Sequence, residues 1–154
     1  MRRLTPAGLD EPLDVPTPTV DLMTTTPAPD APEPSDSTGP GLTVCSLCAG
    51  ETLGASDAHP GGQLARLEEL ASTGVTRLTR VECLDECERG DVVVVRPAAH
   101  RRAAGAAPVW LERLAGDELT GELADFLRAG GPGACPVPRA LRALEIPRDG
   151  ATTA

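Results

Sequence analysis

The chain has 154 residues, a net charge of −9 and a hydrophobic share of 40% with only one Trp and one Phe, which suits one domain of ordinary size with a Leu, Val and Ala core. All fourteen basic residues are Arg, with no Lys-rich patch to neutralise phosphates, and no stretch approaches the roughly 20 apolar residues of a membrane span, which argues against nucleic-acid and membrane partners. Pro6, Asp10, Glu11 and Asp14 interrupt any export-signal core, so the expected setting is cytoplasmic, where five reduced cysteines point to metal or redox chemistry before disulfides.

Residues 1–41 carry nine prolines and seven acidic residues against Arg2 and Arg3, without hydrophobic periodicity. Such a composition cannot offset chain entropy by burial, so a disordered acidic tail is expected, followed by a folded domain over 42–147 and a disordered end over 148–154. Leu42, Thr43 and Val44 read as a short strand leading into Cys45. Between 63 and 72, Leu64, Leu67, Leu70 and Ala71 fall at helical spacing, with Gly74 placed to end the helix in a left-handed conformation. Residues 75–82 are β-branched and Arg-rich, a second strand that delivers Cys83. The valine run 92–95, inside a strand predicted over 91–97, is unbroken apolar sequence and is expected at the sheet centre. Ala, Gly and Arg dominate 98–107, a predicted hairpin loop, before a fourth strand over 108–111. Asp117 is placed to cap a helix with Leu119, Leu123, Phe126 and Leu127 on its apolar face, stopped by Gly130, Gly131 and Pro132. A short amphipathic stretch follows over 139–144. Strand, helix, strand, strand, strand, helix is the order of an α/β, thioredoxin-like sandwich with about four strands and two main helices.

The cysteines are the informative feature. Cys45 and Cys48 form a C-x-x-C, Cys83 and Cys87 a C-x-x-x-C, and each pair follows a predicted strand. Short gaps let one loop present two sulfurs to a common centre. Thirty-four residues lie between the pairs, room for a helix and a return strand. A strand-helix-strand crossover makes the two strands parallel, so the loops that follow them share one end of the sheet. One tetrathiolate site for a metal or a cluster is the expectation.

The segment 81–91, which reads VECLDECERGD and runs into the valines, resembles the thioredoxin-like 2Fe-2S ferredoxins, a family related to the 2Fe-2S subunit of NADH dehydrogenases. In that family a "CL-x-x-C" loop after the second strand is followed by a valine-rich strand. The resemblance extends over about 42–134 and includes the fourth strand, the helix from Asp117 and the closing glycines. It implies a 2Fe-2S cluster with Cys45 and Cys48 on one iron and Cys83 and Cys87 on the other. It also implies a single-electron carrier without catalytic machinery of its own, and often a homodimer. Glu82, Asp85, Glu86 and Glu88 flank the second pair, from which a low potential and a basic redox partner are expected.

Two other readings compete. Structural zinc also takes four thiolates, although zinc ribbons commonly space two C-x-x-C knuckles about 15 to 20 residues apart. A thiol-disulfide oxidoreductase could use the C-x-x-C, but leaves Cys83 and Cys87 unexplained. Cys135 has no neighbour in sequence and reads as a bystander. His59 is a weaker candidate ligand, and His100, Arg101 and Arg102 read as solvated loop residues. Trp110 is expected to be packing, and no phosphate-binding or hydrolase motif appears.

Overall fold

A computed structural model describes residues 39–148. The expected tail before Gly39, and the chain beyond Arg148, lie outside the described residues. The elements are β1 (Gly41–Cys45), α1 (Gly62–Ser72), β2 (Arg77–Val81), β3 (Val93–Arg96), α2 (Ala99–Ala103), β4 (Val109–Leu111), α3 (Asp117–Arg128) and α4 (Arg139–Arg142). They form a thioredoxin-like sandwich: a mixed sheet in the order β2-β1-β3-β4, with β1 parallel to β2 and antiparallel to β3, and β4 antiparallel to β3. The valine strand is an inner strand, as its unbroken apolar sequence requires.

Alternation along β1 gives the two faces of the sheet different work. Leu42 and Val44 point to the main core with Val93 and Val95 of β3 and Leu111 of β4. Leu67 and Leu70 of α1, Leu123, Phe126 and Leu127 of α3, and Leu141 of α4 close that core. Cys45 points the other way, into a smaller cluster with Cys48, Val92 and Ile146, against which Leu84 and Trp110 pack.

Three local expectations are corrected. The predicted hairpin loop contains α2, because Ala and Arg are good helix formers and Pro97 and Gly105 bound the segment on either side. Asp117 does not cap α3. Gly116 is the N-cap, its N–H donates to Gln63 Oε1 at 3.0 Å, and the Asp117 carboxylate instead accepts from Arg66 Nε at 2.5 Å. Finally, the domain runs past its predicted bounds: Gly41 already belongs to β1, and Arg148 contacts both Trp110 and Glu86. Residues 144–146 lie along β4, with Glu112 N–H donating to Leu144 O and Ile146 N–H to Trp110 O, both at 2.9 Å.

Arg66 ties α1 to its surroundings. Its side chain is buried, donates through both terminal nitrogens to the equally buried Asp57 at 2.6 and 2.7 Å, and through Nε to Asp117. Arg66 and the His59 N–H hold the Asp57 carboxyl down at about 2. A carboxyl lowered on folding stabilises above its unfolded value of about 4 and loses that contribution as pH falls through the folded value. The thermal midpoint should therefore decline between about pH 4 and pH 2, and Asp57→Asn should lower it at neutral pH while flattening this acid limb. Identical acid profiles for the two proteins would contradict the assignment. Phe126→Ala, at a position 1% exposed, should cost about 3–5 kcal/mol in denaturant unfolding.

Candidate metal centre

Parallel pairing brings the two cysteine loops side by side. Cys45, the last residue of β1, is in register with Val81, the last of β2. The pairing continues past both strand ends, with Ser46 N–H donating to Val81 O at 2.9 Å and Leu47 N–H to Glu82 O at 3.3 Å. The first loop therefore runs beside the residues that lead directly into Cys83. Gly90, at the end of the second loop, closes the contact: its φ is +60°, and a Cβ there would lie 3.4 Å from Thr52 Oγ1. Glycine suits this left-handed conformation.

The inner pair is enclosed. Cys45 and Cys48 are each 1% exposed. Burial alone would push the Cys45 thiol up, but the Cys48 thiol and the backbone N–H groups of Cys48, Leu47 and Leu84 donate to its sulfur and hold it below the ordinary thiol value. Leu84 belongs to the second loop, so that loop reaches over the inner sulfur. Burial pushes Cys48 up to about 11, against a hydrogen bond from Val92 and with a further push from Cys45. The outer pair lies at the surface. Cys83 Sγ and Cys87 Sγ are 3.2 Å apart, and the Asp85 N–H donates to Cys83 Sγ at 3.3 Å from a left-handed residue at φ +59°. Cys83, by hydrogen bond and by charge, pushes the Cys87 thiol up.

The thiols are thus brought together as two pairs in adjoining loops, whereas one four-sulfur group was expected. Among the described residues no three His, Cys, Asp or Glu side chains gather as one metal ion requires. The reason is local: the inner pair is buried at the strand end, with Cys45 Sγ donating to Glu82 O at 3.4 Å, and the outer pair is held by the turn at Asp85. Cys135 packs against the main core on the helix side, away from both pairs, and its thiol donates only to Gly131 O, at 3.8 Å. His59 Nε2 faces Glu69 Oε1 at 3.4 Å and joins neither pair. Trp110 packs on the cysteine cluster instead of the main core.

The sequence reading missed the residues that hold the loops. Asp91, 1% exposed at φ +42°, accepts from Gly50 N–H through Oδ1 at 2.5 Å and from Thr52 N–H through Oδ2 at 2.8 Å, while its own N–H donates to Cys48 O at 3.0 Å. It shapes the inner loop from the start of the valine run, and the one legible sign was an acidic residue directly abutting that run. Of the four flanking carboxylates, Glu86 is partnered, by Arg89 and Arg148 at 2.8 Å each, while Glu82, Asp85 and Glu88 are exposed. Arg89 also binds Glu112 at 2.6 Å. No spacing rule links Arg148 to the second loop.

No protein-family model matches the chain, and no curated protein and no solved structure matches it. No helix of the described residues is long and apolar enough to cross a membrane.

Asp91→Ala should leave the part-buried Gly50 and Thr52 N–H groups without their carboxylate acceptor, costing about 1 kcal/mol, and should speed hydrogen exchange at Gly50 and Thr52 before the rest of the sheet. Uniform acceleration across the sheet would show that Asp91 does not act on this loop.

Proposed function

We propose that the chain holds one 2Fe-2S cluster through Cys45, Cys48, Cys83 and Cys87 and carries single electrons between protein partners. The observation that carries this reading is the arrangement of four thiols as two pairs in loops joined by backbone hydrogen bonds. Two irons take two thiolates each, whereas a single zinc needs four donors about one point. Soft thiol donors suit the group, and the Asp85 N–H already donates to Cys83 Sγ at 3.3 Å, as a negatively charged centre favours.

When bound, such a cluster would take up and release one electron at a time. The chain's own residues would do the rest. The inner pair, walled by Val92, Ile146 and Leu84, would be shielded from water, while Cys87, exposed at the surface, would mark the side from which an electron enters or leaves. Glu82, Asp85 and Glu88 surround that side with negative charge. They would disfavour the reduced state, giving a low potential, and would attract a basic partner in a salt-dependent way.

One observation favours thiol-disulfide exchange: Cys45 and Cys48 form a C-x-x-C at the end of β1, where an attacking and a resolving thiol would sit. An attacking thiol must also be reached by its substrate, and Cys45 is 1% exposed. The cluster reading therefore stands first.

Serine substitution separates the cysteines. Cys45→Ser, Cys48→Ser, Cys83→Ser and Cys87→Ser should each lose iron and sulfide from the anaerobically purified protein, while Cys135→Ser keeps both. Undiminished iron in the Cys83→Ser and Cys87→Ser proteins would refute the ligand set.

A further inference from the structure

Glu86 immediately precedes Cys87, and both of its carboxylate oxygens are taken by arginines. Oε2 accepts from Arg89 Nε within the same loop, and Oε1 from Arg148 Nη2, each at 2.8 Å. Arg148 comes from the far end of the domain. Its Cζ also lies over the Trp110 ring, 3.8 Å from the centroid, a cation–π contact that a weakly hydrated guanidinium favours. Trp110 is fixed in turn: it is part of β4, its carbonyl accepts the Ile146 N–H, and its ring packs on the cluster that contains Cys45 and Cys48. Arg148 thus joins three segments distant in sequence: the outer cysteine loop, β4 and the residues laid along β4.

The outer loop needs such an anchor. Cys87 is exposed, the sulfurs of its pair bond chiefly to each other and to Asp85, and the short 3-10 turn Cys87–Arg89 buries no residue. Glu86 is the one of the four flanking carboxylates held from outside the loop as well as inside it. Without Arg148 its charge would add to those of Glu82, Asp85 and Glu88 beside the outer thiols.

We propose that Arg148 is a positioning residue for the outer cysteine pair, a clasp from the C-terminal segment that holds the Cys83–Cys87 loop through Glu86 and Trp110 and offsets the Glu86 charge. The holding role is independent of what the thiols bind; the charge role rests on the iron-sulfur reading.

The test compares the full chain with Arg148→Ala and Arg148→Lys. In the reduced, metal-free protein, the rate constant of the Cys83 and Cys87 thiolates toward iodoacetamide is read by peptide mass and taken from the pH profile, which separates access from the slower ionisation that the unmatched Glu86 charge would cause, with Cys135 as internal reference. Arg148→Ala should raise outer-pair labelling about three- to tenfold, the effect of losing one half-exposed ion pair and one cation–π contact, and leave Cys135 unchanged. Emission from Trp110, the single tryptophan, should shift in the same variant. Arg148→Lys keeps the charge without the guanidinium and should recover part of the labelling protection. Unchanged outer-pair labelling, or an equal rise at Cys135 from general loosening, would overturn the clasp.

In iron-loaded protein the midpoint potential should fall in Arg148→Ala and return in Arg148→Lys. An unchanged potential would overturn the charge role. Should no variant take up iron while outer-pair labelling still rises in Arg148→Ala, the clasp stands and the iron-sulfur reading fails.

Discussion

The structure depends on the parallel pairing of β1 with β2 and on its continuation beyond the strands. Two backbone hydrogen bonds past the last paired residues, from Ser46 and Leu47 to Val81 and Glu82, decide that the C-x-x-C loop and the C-x-x-x-C loop leave the sheet together. An antiparallel pairing would have put them at opposite ends. The crossover through α1 imposes the parallel direction, and Arg66, held between Asp57 and Asp117, keeps α1 and the start of α3 in place above the sheet.

The two faces of β1 then divide stability from chemistry. The Leu42 and Val44 face is closed by three helices and carries the main core, while Cys45 projects into a small cluster with few apolar neighbours. That cluster is completed from the edge, by Trp110 of β4 and by Ile146 from the segment paired with it. A chain with so few aromatics spends its single tryptophan beside the cysteines and its single phenylalanine in the core. Polar groups set the loops: Asp91 the inner one, Glu86 with its two arginines the outer one.

Much of the fold was legible in the sequence. The valine run, the helical spacing of Leu64, Leu67 and Leu70, and the stops at Gly74 and Gly130 each reflect local physics, and every element except α2 lies where such signals put it, within two residues or so. The parallel relation of the first two strands followed from the length between the cysteine pairs. What was not legible depends on side chains meeting across the fold. The N-cap of α3 is Gly116, whose N–H is held by Gln63, more than fifty residues earlier. Arg148 looked like the start of a polar end because its partners, Trp110 and Glu86, are unrelated to it by any period. The division of four thiols into a buried and a surface pair follows from where each loop turns, which the spacing of cysteines alone does not encode.

The central claim, that the two thiol pairs hold one iron-sulfur cluster, is tested most directly by the visible absorption of protein made with ample iron and purified without oxygen, before and after dithionite, with iron, sulfide and zinc assayed on the same sample. The account expects a red-brown protein that bleaches on reduction and carries iron and sulfide in equal amounts. A colourless protein with stoichiometric zinc, or one without metal that gains free thiols on reduction, would contradict it.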